Sequence, residues 1–266
     1  MSILNINSEH VVELMRAAAA DIIMPRFQSL QEGEIDEKDG GELVTIADIE
    51  TEKWLTARLP DLLPGSVVVG EEAVFADKDL FSRLAGEDPV WVIDPIDGTW
   101  NFAHGRETFA ILIALVYRGD VISGWVYEPV LGTTVTGSRG EGVLFDGNPV
   151  RLNERKRKDE VIGTAARYLF ERAEKRTDII QQIYRPNCAG HEYVLILSGE
   201  RSFSAYTKLL PWDHAAGSFL VREAGGFSGL LDHGVYDLAH PSGDLLTAES
   251  PEMWHNIRDV LDHKGA

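Results

Sequence analysis

The chain has 266 residues, of which 44% are hydrophobic, and its formal net charge is −18. This length and apolar content are enough for a substantial core in one large domain or two modest ones. The acidic balance argues against nucleic acid as a main partner, because such binding needs a basic patch. An acid-rich site can still bind metal ions and, through them, anionic substrates. Acid that only keeps the protein in solution is the simpler explanation of most of the charge.

The sequence also argues against export and against a membrane anchor. Residues 1–20 carry no basic cluster ahead of an apolar core, so they do not resemble a signal peptide. The longest apolar run, residues 109–117, is far shorter than a membrane span. The single cysteine, Cys188, cannot form an intramolecular disulfide, which fits a reducing compartment. We therefore expect a cytoplasmic protein.

The first quarter of the chain predicts two helices. Ser8 is a candidate N-cap, and apolar residues follow it at helical spacing as far as Pro25. A second helix is predicted over 46–59, with Pro60 ending it. Residues 31–41 lie between the two helices and are charged and glycine-rich, so we expect a mobile loop there.

Residues 66–150 predict a sheet. A short β-branched strand over 66–72 delivers two glutamates at its end. Residues 109–117 and 121–129 are long apolar segments separated by a turn, which indicates a hairpin. Residues 132–150 add shorter strands between Gly and Asn turns.

The pattern changes after a charged segment at 151–160, where helices and strands begin to alternate. We therefore divide the chain into residues 1–152, with helices and an antiparallel sheet, and residues 153–266, an α/β domain. The elements predicted in the second part are a strand leading into a helix at 161–168, helices at 173–184, 190–200 and 213–226, and a strand at 201–206.

Several acids stand at the ends of apolar segments instead of on polar faces. Strand ends and helix starts are rigid places for a functional site. A set of oxygen ligands without His or Cys suits a hard cation, with Mg²⁺ favoured and Mn²⁺ or Ca²⁺ as alternatives, whereas zinc prefers nitrogen or sulfur. The acids concerned are Asp48, Glu71, Glu72, Asp94, Asp97 and Asp213.

The segment 94–97, "DPID", has a geometry of its own. Pro95 fixes φ, so the turn can aim both carboxylates to one side with the Ile96 carbonyl between them. One shared carboxylate can bridge two ions in a phosphoryl-transfer site. Gly98 lets the backbone approach a ligand, and the N–H groups of Gly98 and Thr99 can then hold a phosphate.

Ordinary structural roles remain open for each of these residues. Two aspartates in a Pro-Gly turn are common turn residues, and Asp213 can be a helix N-cap. His104 and His214 fit packing or hydrogen bonding better than metal binding. Cys188 fits a small semi-buried residue better than a nucleophile, since no base accompanies it.

The combined motifs resemble the inositol monophosphatase family. Three signatures occur in order, "GEE" (70–72), "WVIDPIDGTWNF" (91–102) and "PWDHAAGSFLVREAGG" (211–226), with a more variable fourth, "LVTIAD" (43–48). The resemblance spans nearly the whole chain. It implies an α/β fold with an α+β N-terminal part: a layered α-β-α-β-α sandwich with a six-stranded antiparallel sheet and a second, smaller α/β sheet domain.

The resemblance also implies roles for individual residues in the hydrolysis of a phosphate monoester. Glu71, Asp94 and the Ile96 carbonyl would hold a first Mg²⁺, and Asp94, Asp97 and Asp213 a second. Glu71 would also reach a third, weaker ion. Thr99, Asp48 and Glu71 would be the catalytic residues, with Thr99 and Asp48 orienting a water and the amides of Gly98 and Thr99 holding the phosphate. Members of the family are commonly lithium-sensitive homodimers.

The leaving-group pocket determines which ester is cleaved. Inositol phosphatases use a Gly-Thr-Ala-like stretch and a Glu shortly before the "WD" motif. This chain has "CAGHEY" at 188–193 and Tyr206 at the place of that Glu. We expect an inositol 1-phosphate-like substrate first. The alternatives within the family are fructose 1,6-bisphosphate, histidinol phosphate, 3′-phosphoadenosine phosphate and NADP. Outside the phosphatases, the alternative is a non-catalytic regulatory protein that binds metal. The candidate substrate contacts are Gly98, Thr99, Ala189, Gly190, Glu192, Tyr206 and Asp213.

Overall fold

A computed structural model describes residues 6–38, 40–154, 161–172, 181–182, 186–232 and 234–261. The first helix, α1 (Ser8–Ala18), continues as a π-helical turn over Ala19–Ile23. Its N-cap is Asn7, whose side chain accepts the Glu9 N–H, so the predicted cap at Ser8 is wrong by one residue. The Ser8 hydroxyl instead accepts a hydrogen bond from the Trp125 indole at 2.7 Å.

Two short strands, β1 (Ile35–Glu37) and β2 (Leu43–Thr45), pair antiparallel just before the second helix. The prediction of a loop over 31–41 is therefore wrong at β1, because backbone pairing there needs no apolar pattern. Helix α2 (Ile46–Thr56) ends three residues before the predicted limit. Pro60 lies in the first turn of a separate helix, α3 (Leu59–Leu62), where its missing N–H costs nothing.

The large sheet has seven strands in chain order. Six of them form an antiparallel meander, as the resemblance implied. The seventh is the strand predicted over 66–72, which ends at Gly70 and pairs parallel to the first strand of the meander, a pairing that was not predicted. The parallel edge strand is β3 (Val67–Gly70), and the meander is β4 (Val90–Asp97), β5 (Ala110–Tyr117), β6 (Asp120–Glu128), β7 (Thr133–Ser138), β8 (Gly142–Phe145) and β9 (Asn148–Val150). The predicted hairpin is the β5–β6 pair.

Over the residues that the structure describes, the second sheet has five strands in the order β11-β10-β12-β14-β13 and mixes parallel with antiparallel pairs. These strands are β10 (Ile162–Ala165), β11 (Gln181–Gln182), β12 (Phe203–Tyr206), β13 (Phe227–Leu230) and β14 (Leu245–Ala248). The helix predicted at 173–184 is contradicted at β11, and the rest of that segment lies outside the described residues.

Eight further helical segments complete the described elements. They are α4 (Glu71–Ala76), a 3₁₀ segment (Lys78–Ala85), α5 (Thr99–Ala103), a 3₁₀ turn (Leu152–Glu154), α6 (Arg167–Arg172), α7 (Ala189–Ser198), α8 (Pro211–Glu223) and α9 (Pro251–Leu261). Across the described ranges, no helix has both the length and the apolar content that crossing a membrane requires.

The elements stack in five alternating layers. Helices α1 and α2 pack on one face of the large sheet, around Trp91 and Trp125. Helices α7 and α8 pack on its other face, where Tyr193 is fully buried. The second sheet follows, and α6 and α9 cover its far side around Trp254. The predicted α-β-α-β-α order is confirmed, whereas the domain boundary at 152/153 stays a prediction.

Candidate active site

Strand β4 is buried along its whole length and carries Asp94 and Asp97 at its carboxyl end. Opposite β5, Asp94 pairs with Leu112 and Asp97 with Ala110, so β4 has one extra residue between the two pairs. Such a bulge re-aims side chains, and Pro95 tolerates it because proline has no N–H to pair. The turn predicted from "DPID" is therefore a bulge inside a strand.

Three carboxylates from distant parts of the chain meet beside this bulge. Glu71 begins α4, Asp94 lies on β4, and Asp213 is the third residue of α8. One oxygen of each lies within 4.8 Å of the other two, which is the spacing of ligands around a metal ion. The N-cap of α8 is Leu210, so the alternative role of Asp213 as an N-cap is wrong.

The pKa values of these acids show how much repulsion the cluster contains. Burial raises the pKa of Asp94 well above its usual range, and the carboxylates of Glu71 and Asp97 raise it further. Burial and the charge of Glu71 likewise raise the pKa of Asp213. Like charges held out of water this way are stabilised by protons or by a cation.

Asp97 lies next to the three carboxylates, but its oxygens are already engaged. It accepts hydrogen bonds from the backbone N–H groups of Ala189 at 3.1 Å and Gly190 at 2.5 Å, and from the thiol of Cys188 at 3.2 Å. Burial raises the pKa of Asp97 to about 6, and the Gly190 hydrogen bond opposes that rise. The structure therefore joins a predicted metal ligand to the first turn of α7.

The ammonium group of Lys38 neutralises part of the cluster. Its Nζ lies 2.8 Å from Glu71 Oε1 and 2.7 Å from Glu72 Oε1, and its side chain is only 3% exposed. Burial lowers the pKa of Lys38, but the two carboxylates outweigh burial and raise it above its usual value. Sequence reasoning missed Lys38 because it lies in the segment that was predicted to be a loop.

Thr99 and Asp48 lie together, as predicted for a pair that orients water. The Thr99 hydroxyl lies 3.1 Å from Asp48 Oδ1 and 2.9 Å from the Ile96 carbonyl oxygen. The other Asp48 oxygen accepts the Thr45 N–H at 2.8 Å in a capping box at the start of α2. Burial raises the pKa of Asp48 to about 7, although the hydrogen bond from the Thr45 hydroxyl lowers it.

Glu52 was not predicted, yet it fixes the helix that carries Glu71. Its carboxylate accepts the N–H groups of Glu72 and Ala73, both at 2.7 Å, at the start of α4. Burial raises the pKa of Glu52 to about 7, against the effect of the Glu72 N–H. Gly70 makes this contact possible, because a Cβ at that position would lie 2.5–2.6 Å from both Glu52 oxygens.

Gly98 is the turn residue that separates Asp97 from Thr99. Its φ of +91° lies in the left-handed region, which favours glycine. A Cβ there would lie 3.1–3.2 Å from Cys188 and from the carbonyl oxygens of Asn187 and Thr108. The turn thus brings the backbone amides of Gly98 and Thr99, which are predicted to bind phosphate, next to the contact between Asp97 and the start of α7.

The predicted substrate contacts fall into two groups. Ala189 and Gly190 lie against Asp97, beside the cluster. Glu192 is 2% exposed, and its carboxylate accepts the Thr164 hydroxyl. Tyr206 is 8% exposed, and its ring centroid lies 4.5 Å from that of His214. These two side chains are therefore packed within the protein.

His214 and Cys188 have the structural roles that the sequence favoured. His214 is fully buried, with one ring nitrogen 3.0 Å from the Tyr193 hydroxyl and the other 2.9 Å from the Lys208 carbonyl. Burial raises the pKa of the Cys188 thiol well above its usual value, and the charge of Asp97 raises it further. A thiol in this state is a poor nucleophile.

A cavity of about 460 Å³ opens beside Glu71. Lys38 and Glu71 line its inner side, while Phe75 and Trp212 contribute aromatic walls. Of the three clustered carboxylates, Glu71 lines this cavity, so water and solutes can reach the cluster at Glu71.

Comparisons with known proteins agree with this geometry. The sequence matches the inositol monophosphatase family over residues 7–257. A fructose-1,6-bisphosphatase/inositol-1-monophosphatase of Thermotoga maritima is 33% identical over 199 residues, covering 72% of this chain and 73% of the relative. Nus factor SuhB of Pseudomonas aeruginosa is 31% identical over 225 residues, covering 80% and 82%. An inositol-1-monophosphatase of Mesorhizobium japonicum is 29% identical over 245 residues, covering 88% and 87%.

Solved structures share the fold over nearly the whole length. An IMPase of Thermotoga maritima has a TM-score of 0.79 at 25% identity, covering 97% of this chain and 98% of the other. Inositol monophosphatase II of Staphylococcus aureus has a TM-score of 0.79 at 23% identity, covering 96% and 93%, and supports the fold alone. The mixed α/β class is confirmed. From the family match and these relatives, the chain belongs to the inositol monophosphatase family, a family of phosphatases.

Proposed function

We propose that this protein is a Mg²⁺-dependent phosphatase that hydrolyses a small phosphate monoester by attack of water. The observation that carries the proposal is the cluster of Glu71, Asp94 and Asp213, whose oxygens approach within 4.8 Å of one another. Because burial and mutual repulsion raise the pKa of Asp94, the cluster favours a bound cation. The oxygen-only donor set fits Mg²⁺, with Mn²⁺ as an alternative.

The residues that would hold the ions follow from the family resemblance and fit this donor set. Two to three ions are proposed. When bound, such ions lower the pKa of water and offset the charge that develops on the oxygens of a phosphoryl group. The proposed ligands are Glu71, Asp94 and the Ile96 carbonyl for one ion, Asp94, Asp97 and Asp213 for another, and Glu71 for a third.

The remaining steps belong to the side chains and backbone of this chain. The Thr99 hydroxyl, held near Asp48 and the Ile96 carbonyl, orients the attacking water. Asp48, with a pKa of about 7, can accept a proton near neutral pH. The N–H groups of Gly98 and Thr99 bind phosphate oxygens. As the P–O bond to the ester oxygen breaks, that oxygen leaves opposite the attacking water and takes up a proton from solvent.

The substrate is proposed to be an inositol 1-phosphate-like ester. Support comes from the relatives, since those from Thermotoga maritima and Mesorhizobium japonicum carry inositol-1-monophosphatase in their names. The first of these names also includes fructose-1,6-bisphosphatase, which supports a sugar phosphate as the second candidate. Glu192 and Tyr206 are packed within the protein, so of the predicted leaving-group contacts in the second half of the chain, Ala189 and Gly190 lie beside the cluster, through their contact with Asp97.

Phosphate release from a panel of esters tests the proposal. Inositol 1-phosphate, fructose 1,6-bisphosphate, histidinol phosphate, 3′-phosphoadenosine 5′-phosphate and NADP would be compared by kcat/KM with Mg²⁺ and with EDTA. We expect Mg²⁺-dependent release that EDTA abolishes. Mg²⁺ binding without release from any ester would instead indicate a non-catalytic regulator. Inhibition by Li⁺, a homodimer in light scattering and a cytoplasmic location are further expectations of the proposal.

The pKa values predict how metal binding should change stability with pH. Asp48 and Glu52 have folded-state pKa values of about 7, whereas carboxyl groups in an unfolded chain titrate near 4. The folded, metal-free protein therefore holds protons that the unfolded chain has lost, and its stability should fall as pH rises from about 4 to about 7. The proposed ligand Asp97 has a pKa of about 6, so at about pH 8 Mg²⁺ displaces almost no proton from it, whereas at about pH 5.5 Mg²⁺ must compete with a proton there.

We therefore expect saturating Mg²⁺ to raise Tm by several degrees at about pH 8 and by clearly less at about pH 5.5. Differential scanning calorimetry of chelated and Mg²⁺-loaded protein at both pH values checks this. A Tm gain that is equal at both pH values would contradict the pKa shifts.

A further inference from the structure

The stretch at 188–193, where this chain departs from the family pattern, makes buried polar contacts with both sheets. The ring nitrogen Nδ1 of His191 lies 2.5 Å from Glu128 Oε1, on the last residue of β6 in the large sheet. The next residue, Glu192, accepts a hydrogen bond from the Thr164 hydroxyl on β10 of the second sheet. Two consecutive residues of α7 thus anchor this helix to the two sheets.

The same turn of α7 holds a proposed metal ligand. Asp97 accepts hydrogen bonds from the N–H groups of Ala189 and Gly190 and from the Cys188 thiol, which is also the N-cap of α7. Gly190 allows this approach, because a Cβ there would lie 2.6 Å from Leu112 Cδ2 and 3.1 Å from Asp97 Oδ2. The direction of the Asp97 carboxylate therefore depends on where the first turn of α7 lies.

The contact between Glu128 and His191 is largely buried, so its loss would leave the Glu128 carboxylate without a partner in the described part of the chain. The Glu128 side chain is 1% exposed and that of His191 is 18% exposed. The second carboxylate oxygen, Glu128 Oε2, is buried and has no hydrogen-bond partner among the described residues. The carboxylate of Glu128 thus relies on the His191 N–H, and a buried carboxylate that loses its partner is strongly destabilised. This dependence holds the first turn of α7 against the sheet that carries Asp97.

We propose that His191 and Glu128, assisted by Glu192 and Thr164, are positioning residues that hold the first turn of α7 and thereby aim Asp97 at its metal ion. This inference rests on the proposed function. Partners that orient a metal ligand typically contribute 10–100-fold to metal affinity. A contact that only joined the two sheets would change stability without changing metal affinity.

The test compares His191→Leu with His191→Asn. Leucine removes the donor to Glu128, whereas the asparagine amide retains an N–H close to the position of Nδ1. We expect isothermal titration calorimetry to show Mg²⁺ binding about 10–100-fold weaker in His191→Leu, with a parallel rise in the Mg²⁺ concentration needed for half-maximal activity. His191→Asn should remain within about threefold of the wild type in both measurements.

Two further variants keep the test decisive. His240→Leu removes another histidine–carboxylate pair, which is exposed and has no contact with α7 or Asp97 among its described interactions, and it should leave Mg²⁺ binding unchanged. If His191→Leu does not fold, His191→Leu combined with Glu128→Gln removes the buried charge and should show the same weakened Mg²⁺ binding.

Wild-type Mg²⁺ affinity in the leucine variants, with only Tm reduced, would overturn the positioning role and leave the proposed function intact. Failure of the wild-type protein to bind Mg²⁺ or to release phosphate would overturn the proposed function itself.

Discussion

Replacing Asp94 or Asp97 with asparagine should abolish nearly all phosphatase activity, yet the two variants should change in stability in opposite directions. Each substitution removes a charge that the proposed metal site needs, so we expect kcat/KM to fall by at least about a thousandfold in both. The metal-free Asp94→Asn protein should melt a few degrees higher than the wild type, whereas the Asp97→Asn protein should melt lower.

The contrast comes from what surrounds each carboxylate. Asp94 accepts one hydrogen bond, from the Ile96 N–H at 3.1 Å, and the oxygen of an asparagine can keep it. The charge of Asp94 otherwise lies among the carboxylates of Glu71, Asp97 and Asp213, so removing it relieves repulsion. Asparagine at Asp97 would turn an NH₂ group towards the N–H groups at the start of α7, which should cost about 1–3 kcal/mol.

Phosphate release and calorimetry of the chelated proteins at about pH 8 measure both effects. Ser82→Ala, at an exposed position whose hydroxyl donates to the Asp79 carbonyl and to none of the clustered carboxylates, is the control and should keep wild-type activity. Near-wild-type turnover of either asparagine variant in Mg²⁺ would show that the ligand assignment is wrong. A lower Tm for Asp94→Asn would show that repulsion in the cluster is already compensated.

Gly70→Ala is expected to damage the site without touching a proposed ligand. The backbone of Gly70 has φ −107° and ψ 157°, which alanine adopts without strain. The added Cβ, however, would lie 2.5–2.6 Å from the Glu52 oxygens, and Glu52 cannot move without releasing the N–H groups of Glu72 and Ala73. Overpacking together with unsatisfied N–H groups should cost about 2–4 kcal/mol.

Because Glu71 directly follows Gly70, the same clash should displace this proposed metal ligand. We expect kcat/KM to fall by about a hundredfold, the usual effect of a displacement of about 1 Å in a catalytic arrangement. Gly229→Ala on β13 is the matched control, since its Cβ would lie no closer than 3.2 Å to any atom, and it should cost less than about 1 kcal/mol. A Gly70→Ala protein with wild-type Tm and turnover would contradict the role of Glu52.

The sequence alone predicted most of the architecture and the main cluster, because those features leave local signatures. Apolar segments ending in acids pointed to Asp94 and Asp213, whose carboxylates the structure brings together with Glu71, and the hairpin of β5 and β6 followed from two long apolar segments around a turn. Helix ends were less predictable, since Pro60 was read as a terminator and instead lies in the first turn of α3. Proline occurs both just after the end of a helix and in the first turn of one.

Local sequence patterns do not predict contacts between distant segments of the chain. Nothing near Lys38 indicates that its side chain reaches Glu71, 33 residues away. Glu52 looks like an ordinary charged residue of a helix surface, yet it is 4% exposed and binds the backbone of α4. His191 and Glu192 are consecutive in the sequence, but their partners lie on different sheets. Only the tertiary fold therefore shows what each of them contacts.

The Lys38 ammonium between Glu71 and Glu72 affects the order in which folding and the proposed metal binding can occur. An internal counterion is present from the moment the chain folds, so the acidic cluster can assemble before any metal is encountered. The divalent ion that we propose would then exchange with a charge that is already in place, at a site whose carboxylates are already gathered. Metal supply would therefore govern mainly how much of the protein is active, while its effect on folding would be limited to the stability that bound metal adds.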